Sequence, residues 1–402
     1  MSQTRFPTSN RAAKVLSATG LGLLAAALAV APASAALDCD GQAADAADYA
    51  TELACASEAT EGAQVITLTG SFAVPSTADN TYWGSQPLTI EGAHDDVTIT
   101  GPGQATTGVA RGAGTLLTVT APDQGPTPMA AGNADVTVRN VTVTDFSSAG
   151  VIVNATYRAL HLSDVAVVDN GAFVAPERPG TAPHYGAAVA SMGDVSVTDS
   201  YFEGNSGALG AAVSTHGFFF WPAPAGGAAA TGEPVVTITG SAFVGNEAVS
   251  GAAVFSFGST VVSDSVFTDN VAETGGAIAA FGATAHISDS LFADNVSTPL
   301  TDDDDAYIEG GALAVDGEVT ITNSTLTGNS SDGLGGAIAY SEGVDVPRSS
   351  LTITDSTLEG NIAGASGGAV WCIGDVAISG STLADNASVD GAGAVDVSES
   401  LE

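Results

Sequence analysis

"SDSVFTDNVAETGGAIAAFG", residues 263–282, carries four anchors: Ser265, Phe267 two positions later, Asn270, and a Gly275-Gly276-Ala277-Ile278 close. The same skeleton returns along the chain while the residues between the anchors change. Serines 200, 241, 265, 290, 324, 356 and 381 are each followed at +2 by Phe202, Phe243, Phe267, Phe292, Leu326, Leu358 or Leu383. At +5 stand Asn205, Asn246, Asn270, Asn295, Asn329, Asn361 and Asn386. Successive serines are 41, 24, 25, 34, 32 and 25 residues apart, so a basal period of 24–25 is lengthened by insertions. Two insertions are plain: 216–234, and 297–310 with its run of acids. A degraded copy at 162–170 keeps Val167 and Asn170 without the serine.

Each unit holds runs such as "VTITDS", "AHISDS" and "LTITDS", in which alternate residues are apolar, as a half-buried strand requires. A second strand follows the glycines in "GGAIAAFG", "GGALAVDG" and "GGAVWCIG". No helical period is visible in these units. Glycine supplies the positive φ and close backbone approach of a sharp bend. One such unit cannot bury its apolar face alone, whereas stacked units at about 4.8 Å do so and pair every backbone group. The pattern predicts an all-β fold, a single right-handed parallel β-helix of the pectate-lyase-like type. Phe/Leu form an interior column, Ser points inward at a bend, and the seven asparagines form a hydrogen-bonded ladder. A leucine-rich repeat has a similar period, but β-branched residues precede the Asn here and a Gly-Gly-Ala strand replaces the helix.

Residues 1–35 have the layout of a secretory signal peptide: Arg5, Arg11 and Lys14, an apolar run from Val15 to Ala31, then Ala33-Ser34-Ala35. No later stretch is long and apolar enough to span a bilayer as a helix. The protein is therefore expected to be secreted or held at the cell surface. Residues 36–63 read as an N-terminal cap, with an alanine-rich helix across 39–59, and 64–402 as coils, clearest over 160–398. The last coil runs almost to Glu402 and leaves no room for a C-terminal cap, so either a partner covers that end or the chain is cut short. Cys39 and Cys55 are expected to form a disulfide in an oxidising compartment, contributing roughly 3 kcal/mol. Cys372, amid apolar residues, reads as a small buried hydrophobe.

Removal of the signal leaves five arginines, no lysine and all 45 acids, so the charge goes from −37 to −37 − 3 = −40. Such a surface repels nucleic acid and anionic lipid.

The pairing of Phe-x-x-Asn (Phe243/Asn246, Phe267/Asn270, Phe292/Asn295) with Gly-Gly-Ala-Ile (275–278, 335–338) resembles the repeat of polymorphic outer membrane proteins and related β-helix surface proteins. The resemblance covers roughly 160–398. It implies a passenger-type helix exposed for adhesion, which in that family precedes a membrane β-barrel; no barrel follows in this sequence.

β-Helix lyases use a basic proton abstractor, for which Arg139 and Arg158 are the candidates, and glycosidases use convergent carboxylates. Asp199, Asp264, Asp289 and Asp355 precede their serines and read as turn-capping residues. His94 beside Asp95 and Asp96 lies in a turn-like stretch, and His184, His216 and His286 lack metal-ligand spacing. Asp302, Asp303, Asp304, Asp305 and Glu309 offer hard oxygen ligands and are the candidate Ca²⁺ site; no other cofactor is indicated. Phe218, Phe219, Phe220 and Trp221 form a candidate contact for a sugar or protein partner. The expectation is a non-enzymatic adhesion solenoid that displays loops to a glycan or surface protein, with a polysaccharide-active enzyme as the alternative.

Overall fold

A computed structural model of the chain describes residues 39–78, 80–103, 115–120, 135–146, 151–171, 188–215, 233–282, 284–300, 308–341 and 350–398. Among them, one sheet holds 21 strands, a second 11 and a third 5, and strands pair in parallel throughout. The fold is a parallel β-helix. The large sheet is bent into two limbs that run continuously through Val136–Phe146 and Leu160–Val168. In later coils each limb is a separate short strand, as in Thr260–Ser263 and Val266–Thr268. The eleven-stranded sheet is built from the strands after the glycines, among them Val254–Ser256, Ile278–Ala280 and Leu313–Asp316.

The bend between the limbs explains the residue before each serine. Asp199, Asp264, Asp289, Asn323 and Asp355 all have φ between +48° and +51°, Gly240 and Gly380 fill the same place at +62°, and Asp164 does so at +52° in the coil that lacks the serine. These residues tolerate the left-handed conformation better than others. The aspartates expected to cap turns therefore serve instead as the left-handed corner itself. A second left-handed corner, Asp269, Asp294 or Gly328 for example, precedes each ladder asparagine.

Serine follows the first corner because its hydroxyl fills two roles. From Ser200 to Ser356, each serine N–H donates to the Oγ of the serine one coil on, at 3.1–3.2 Å. Each Oγ in turn donates to the carbonyl two residues back, as Ser265 does to Ser263 at 2.7 Å. Inside the coil the aromatic column is continuous: Phe202, Phe243, Phe267 and Phe292 stack with centroids 4.8, 4.8 and 4.7 Å apart and planes within 4°. Leu326, Leu358 and Leu383 extend the column in register. Burying one such ring is worth roughly 1.5–3 kcal/mol against leaving it exposed.

At the N-terminal end, strand Gln42–Ala43 pairs with Thr67 and Leu68, so coil geometry begins before the helix. The helix itself is Ala46–Glu58, shorter than the 39–59 expected, because the Asp45 carboxylate caps it by accepting from the N–H groups of Ala47 and Asp48. Cys39 and Cys55 are joined by a disulfide, with Cα atoms 5.8 Å apart. Buried Glu52 accepts from the N–H groups of Asp40 and Gly41, both at 3.1 Å. Buried Tyr49 donates to the Leu116 carbonyl at 3.0 Å, and burial pushes its phenol well above the usual range. Cys372 is outside any disulfide and fully buried in the core, its thiol donating to the Gly374 carbonyl at 3.6 Å. No helix among the described residues is long and apolar enough to cross a membrane.

Candidate functional site

The inserted residues are not spread evenly around the coil. From Val136 onward, the bend between the limbs is always two residues and takes no insertion, as in Thr198 to Tyr201 or Ser288 to Leu291. Extra sequence instead flanks the eleven-stranded sheet. On its exit side it falls between Val119 and Val136, Thr215 and Val236, and Ser341 and Ser350. On its entry side it falls between Gly103 and Leu117, Val168 and Val189, and Ser297 and Leu313. One sheet thus has variable sequence on both borders, while from Val136 onward the bend between the limbs is constant.

The strands of this sheet are two to four residues long. Their middle residues point away from the coil interior, because neighbours such as Val254 and Ile278 fill the core. Ser214, Phe255, Ala279, Ala314 and Ala339 make one such row in register, and none is more than 3% exposed. On the exit border Phe255 meets Phe257 edge-on, with centroids 5.0 Å apart at 89°, and Phe281 lies 6.1 Å from Phe255 at 68°. Edge-to-face contacts of this kind are favoured by the ring quadrupole.

Asp316 lies on the same border, paired in register with Ser341. Its Oδ1 is buried and has no hydrogen-bond partner among the described residues. Burial, and then the charge of Glu233, push its carboxyl up to about 7. Glu233 lies near the end of the insertion 216–234, which also includes 218–221.

On the entry border, Glu309 bridges Thr274 and Leu334, and burial raises its carboxyl above the usual range. One coil back, Glu273 is buried and accepts from the Leu300 N–H at 2.9 Å. These two carboxylates bracket the acidic insertion, whose Asp302, Asp303, Asp304 and Asp305 lie outside the described residues, as do Phe218, Phe219, Phe220, Trp221, His184 and His216. Among the described residues, no group of three or more His, Cys, Asp or Glu is arranged to hold a metal ion.

The basic candidates do not converge. Arg139 is paired with Glu91 on the neighbouring coil and is thereby engaged. Arg158 belongs to a turn in which its carbonyl accepts from the Asn154 amide at 2.8 Å. His161 and His286 each bond a hydroxyl one coil on, Ser196 and Thr320, at 2.7 Å. The seven ladder asparagines are structural: from Asn205 to Asn361 each amide donates to the Oδ1 of the next, at 2.9–3.0 Å. The Phe255 cluster, Glu273 and Asp316 were not singled out by sequence. The aromatics after the Gly-Gly-Ala strand, in "VFSFG" and "AAFG", were the available signal.

No family model matches the chain, and no curated protein does. Among solved structures, the crystal structure of PfbA, a surface adhesin of Streptococcus pneumoniae, aligns over 87% of this chain and 93% of its own. The identity is 13% and the TM-score 0.36.

Proposed function

We propose that the protein is a secreted or cell-surface β-helix that binds a glycan or a surface protein without transforming it. One observation carries this reading: insertions occur on both borders of a single sheet, while the bend on the other side of the coil stays constant from Val136 onward. A rigid scaffold with variable sequence confined to one side is how binding surfaces are commonly built. The half-buried Phe257 and Phe281, backed by the buried Phe255, stand on that border and suit sugar or side-chain stacking. The reading is tested by deleting 217–230 and measuring attachment to immobilised polysaccharides and cell-surface proteins. Lost attachment with unchanged circular dichroism supports it. Full attachment by the deleted protein moves the binding surface elsewhere.

A second reading, a polysaccharide-active enzyme, is favoured by Asp316. A partly buried carboxyl pushed up to about 7, by burial first and the charge of Glu233 second, has the property that a general acid needs. Size-exclusion chromatography of defined polysaccharides after incubation decides between the two. Chain shortening that disappears in Asp316→Asn would establish the enzyme.

A further inference from the structure

Phe257, Phe281, Asp316 and Ser341 follow one another on successive coils at the exit border of the eleven-stranded sheet. Each stands one residue after a member of the inward row Ser256, Ala280, Val315 and Tyr340, so each side chain is directed outward. The phenylalanine column shows coils stacking at 4.8 and 4.7 Å. Two such steps carry the row from Phe257 to Asp316, about 10 Å, the length of a disaccharide. Two rings open the row. The Phe257 and Phe281 centroids are 6.4 Å apart at 44°, and both rings rest on Phe255, at 5.0 and 6.1 Å. The buried Phe255 fixes the attitude of the half-buried pair, which thereby forms a ready-made apolar platform.

The carboxyl beside this platform is unsatisfied. Asp316 Oδ1 is buried, and no group among the described residues bonds it. Buried polar atoms in folded proteins are paired with few exceptions, so an orphan in a row that carries two half-buried rings marks a place for a partner. Asp316 does not serve to turn the chain, since the left-handed position there is taken by Gly317 at φ +81°. Nor is it paired with a cation: among the described residues the one ion pair joins Arg139 to Glu91. Burial first and the charge of Glu233 second push its carboxyl up to about 7, so near neutrality it can both donate to and accept from a hydroxyl.

We infer that this row is a subsite for an uncharged glycan: the apolar face of a pyranose lies on Phe257 and Phe281, and a hydroxyl of the same glycan bonds the buried oxygen of Asp316. The subsite deepens the binding role proposed above and rests on it. A sulfated sugar or a uronate meets Glu233 and a chain of net charge −37, and is repelled. An amino sugar gains little, because its ammonium needs Asp316 ionised and burial opposes that ionisation. A pyranose presents one apolar face rimmed by hydroxyls, which matches two rings followed by a carboxyl. A peptide segment would need partners for its backbone N–H and C=O groups as well.

The neutral probes are cellotetraose, β-1,4-mannotetraose, β-1,4-galactotetraose and the N-acetylglucosamine tetramer; tetragalacturonate and the glucosamine tetramer are the charged ones, and calorimetry reads the affinities. At least one neutral tetramer is expected to bind about tenfold or more tightly than either charged probe. Phe281→Leu keeps apolar volume without the flat ring, and Asp316→Leu removes the polar anchor. Each is expected to weaken that binding about tenfold or more, with circular dichroism unchanged. Asp316→Asn keeps a donor and an acceptor in place and should bind within about threefold of the native protein. Binding of no neutral tetramer, tighter binding of a charged one, unchanged affinity in either leucine variant, or a loss in Asp316→Asn equal to that in Asp316→Leu overturns the subsite. The broader binding role fails separately, in the attachment assay of the 217–230 deletion. Attachment to a surface protein, or to a glycan that both leucine variants still hold, leaves that role standing without this subsite.

Discussion

The Oδ1 of Asn270 accepts two bonds from Asn246 one coil back: one from the Asn246 amide at 2.9 Å and one from its backbone N–H at 3.1 Å. The Asn270 amide in turn donates to Asn295 Oδ1 at 2.9 Å and to the Phe243 carbonyl at 3.0 Å. One fully buried side chain therefore satisfies groups on both neighbouring coils.

Asn270→Leu is expected to destabilise the coil by about 3 kcal/mol or more. It leaves the Asn246 N–H without its acceptor and removes one of the two acceptors of the Asn246 amide and the amide donor to the Phe243 carbonyl, and a buried orphan costs about 1–3 kcal/mol. Urea unfolding followed by circular dichroism reads the loss. Hydrogen exchange should show it concentrated in the coils around 246–295, since a stacked repeat contacts only its neighbours. A shift in midpoint equal to that of an exposed Asn→Ala control would contradict the ladder's role.

Within the aromatic column, Phe243→Leu and Phe243→Ala separate volume from aromaticity. Leu326 and Leu358 occupy the same column without rings, so the leucine variant should lose less than about 1.5 kcal/mol. The alanine variant opens a cavity between Phe202 and Phe267 and should lose about 3–5 kcal/mol. Equal losses would mean that ring stacking, not volume, holds the column.

At the left-handed corner, Asp264→Gly should be nearly neutral, because Gly240 and Gly380 take the same position. Asp264→Val should cost about 1–2 kcal/mol or more, since a β-branched residue is strained at φ +51°. Thermal melts of the two variants, compared at one scan rate, check the order.

These anchors explain how much was legible in the chain. Ser265, Phe267 and Asn270 could be read because each performs one task that recurs every coil, so the sequence displays it repeatedly. The corner aspartates were visible as a row but misread, because conformational tolerance and hydrogen-bonding capacity favour the same residue types. The start of the helix was misplaced for a related reason. Gln42 and Ala43 form a strand only through pairing with Thr67 and Leu68, which local composition does not encode. The border of the eleven-stranded sheet was least legible. Phe255 and Phe281 meet across coils, and Asp316 owes its environment to burial and to Glu233, far back in sequence.

Asp316 gives the chain a pH dependence whose sign can be worked out. Its carboxyl rises from the ordinary 3.8 to about 7 in the folded protein, through burial first and Glu233 second. The folded state therefore holds the proton more tightly than the unfolded chain. That contribution to stability is complete below about pH 4 and is lost as pH rises through about 7. Native protein should melt at a lower temperature at pH 8 than at pH 6. Asp316→Asn removes the ionisation and should flatten that difference, with its gain over the native protein appearing on the alkaline side. Glu233→Gln removes only the smaller, electrostatic cause, so it should move the midpoint of the transition down in pH without abolishing it. Melting temperatures for the three proteins between pH 5 and pH 9 test this, and an equal slope in native and Asp316→Asn would place the titration on another group.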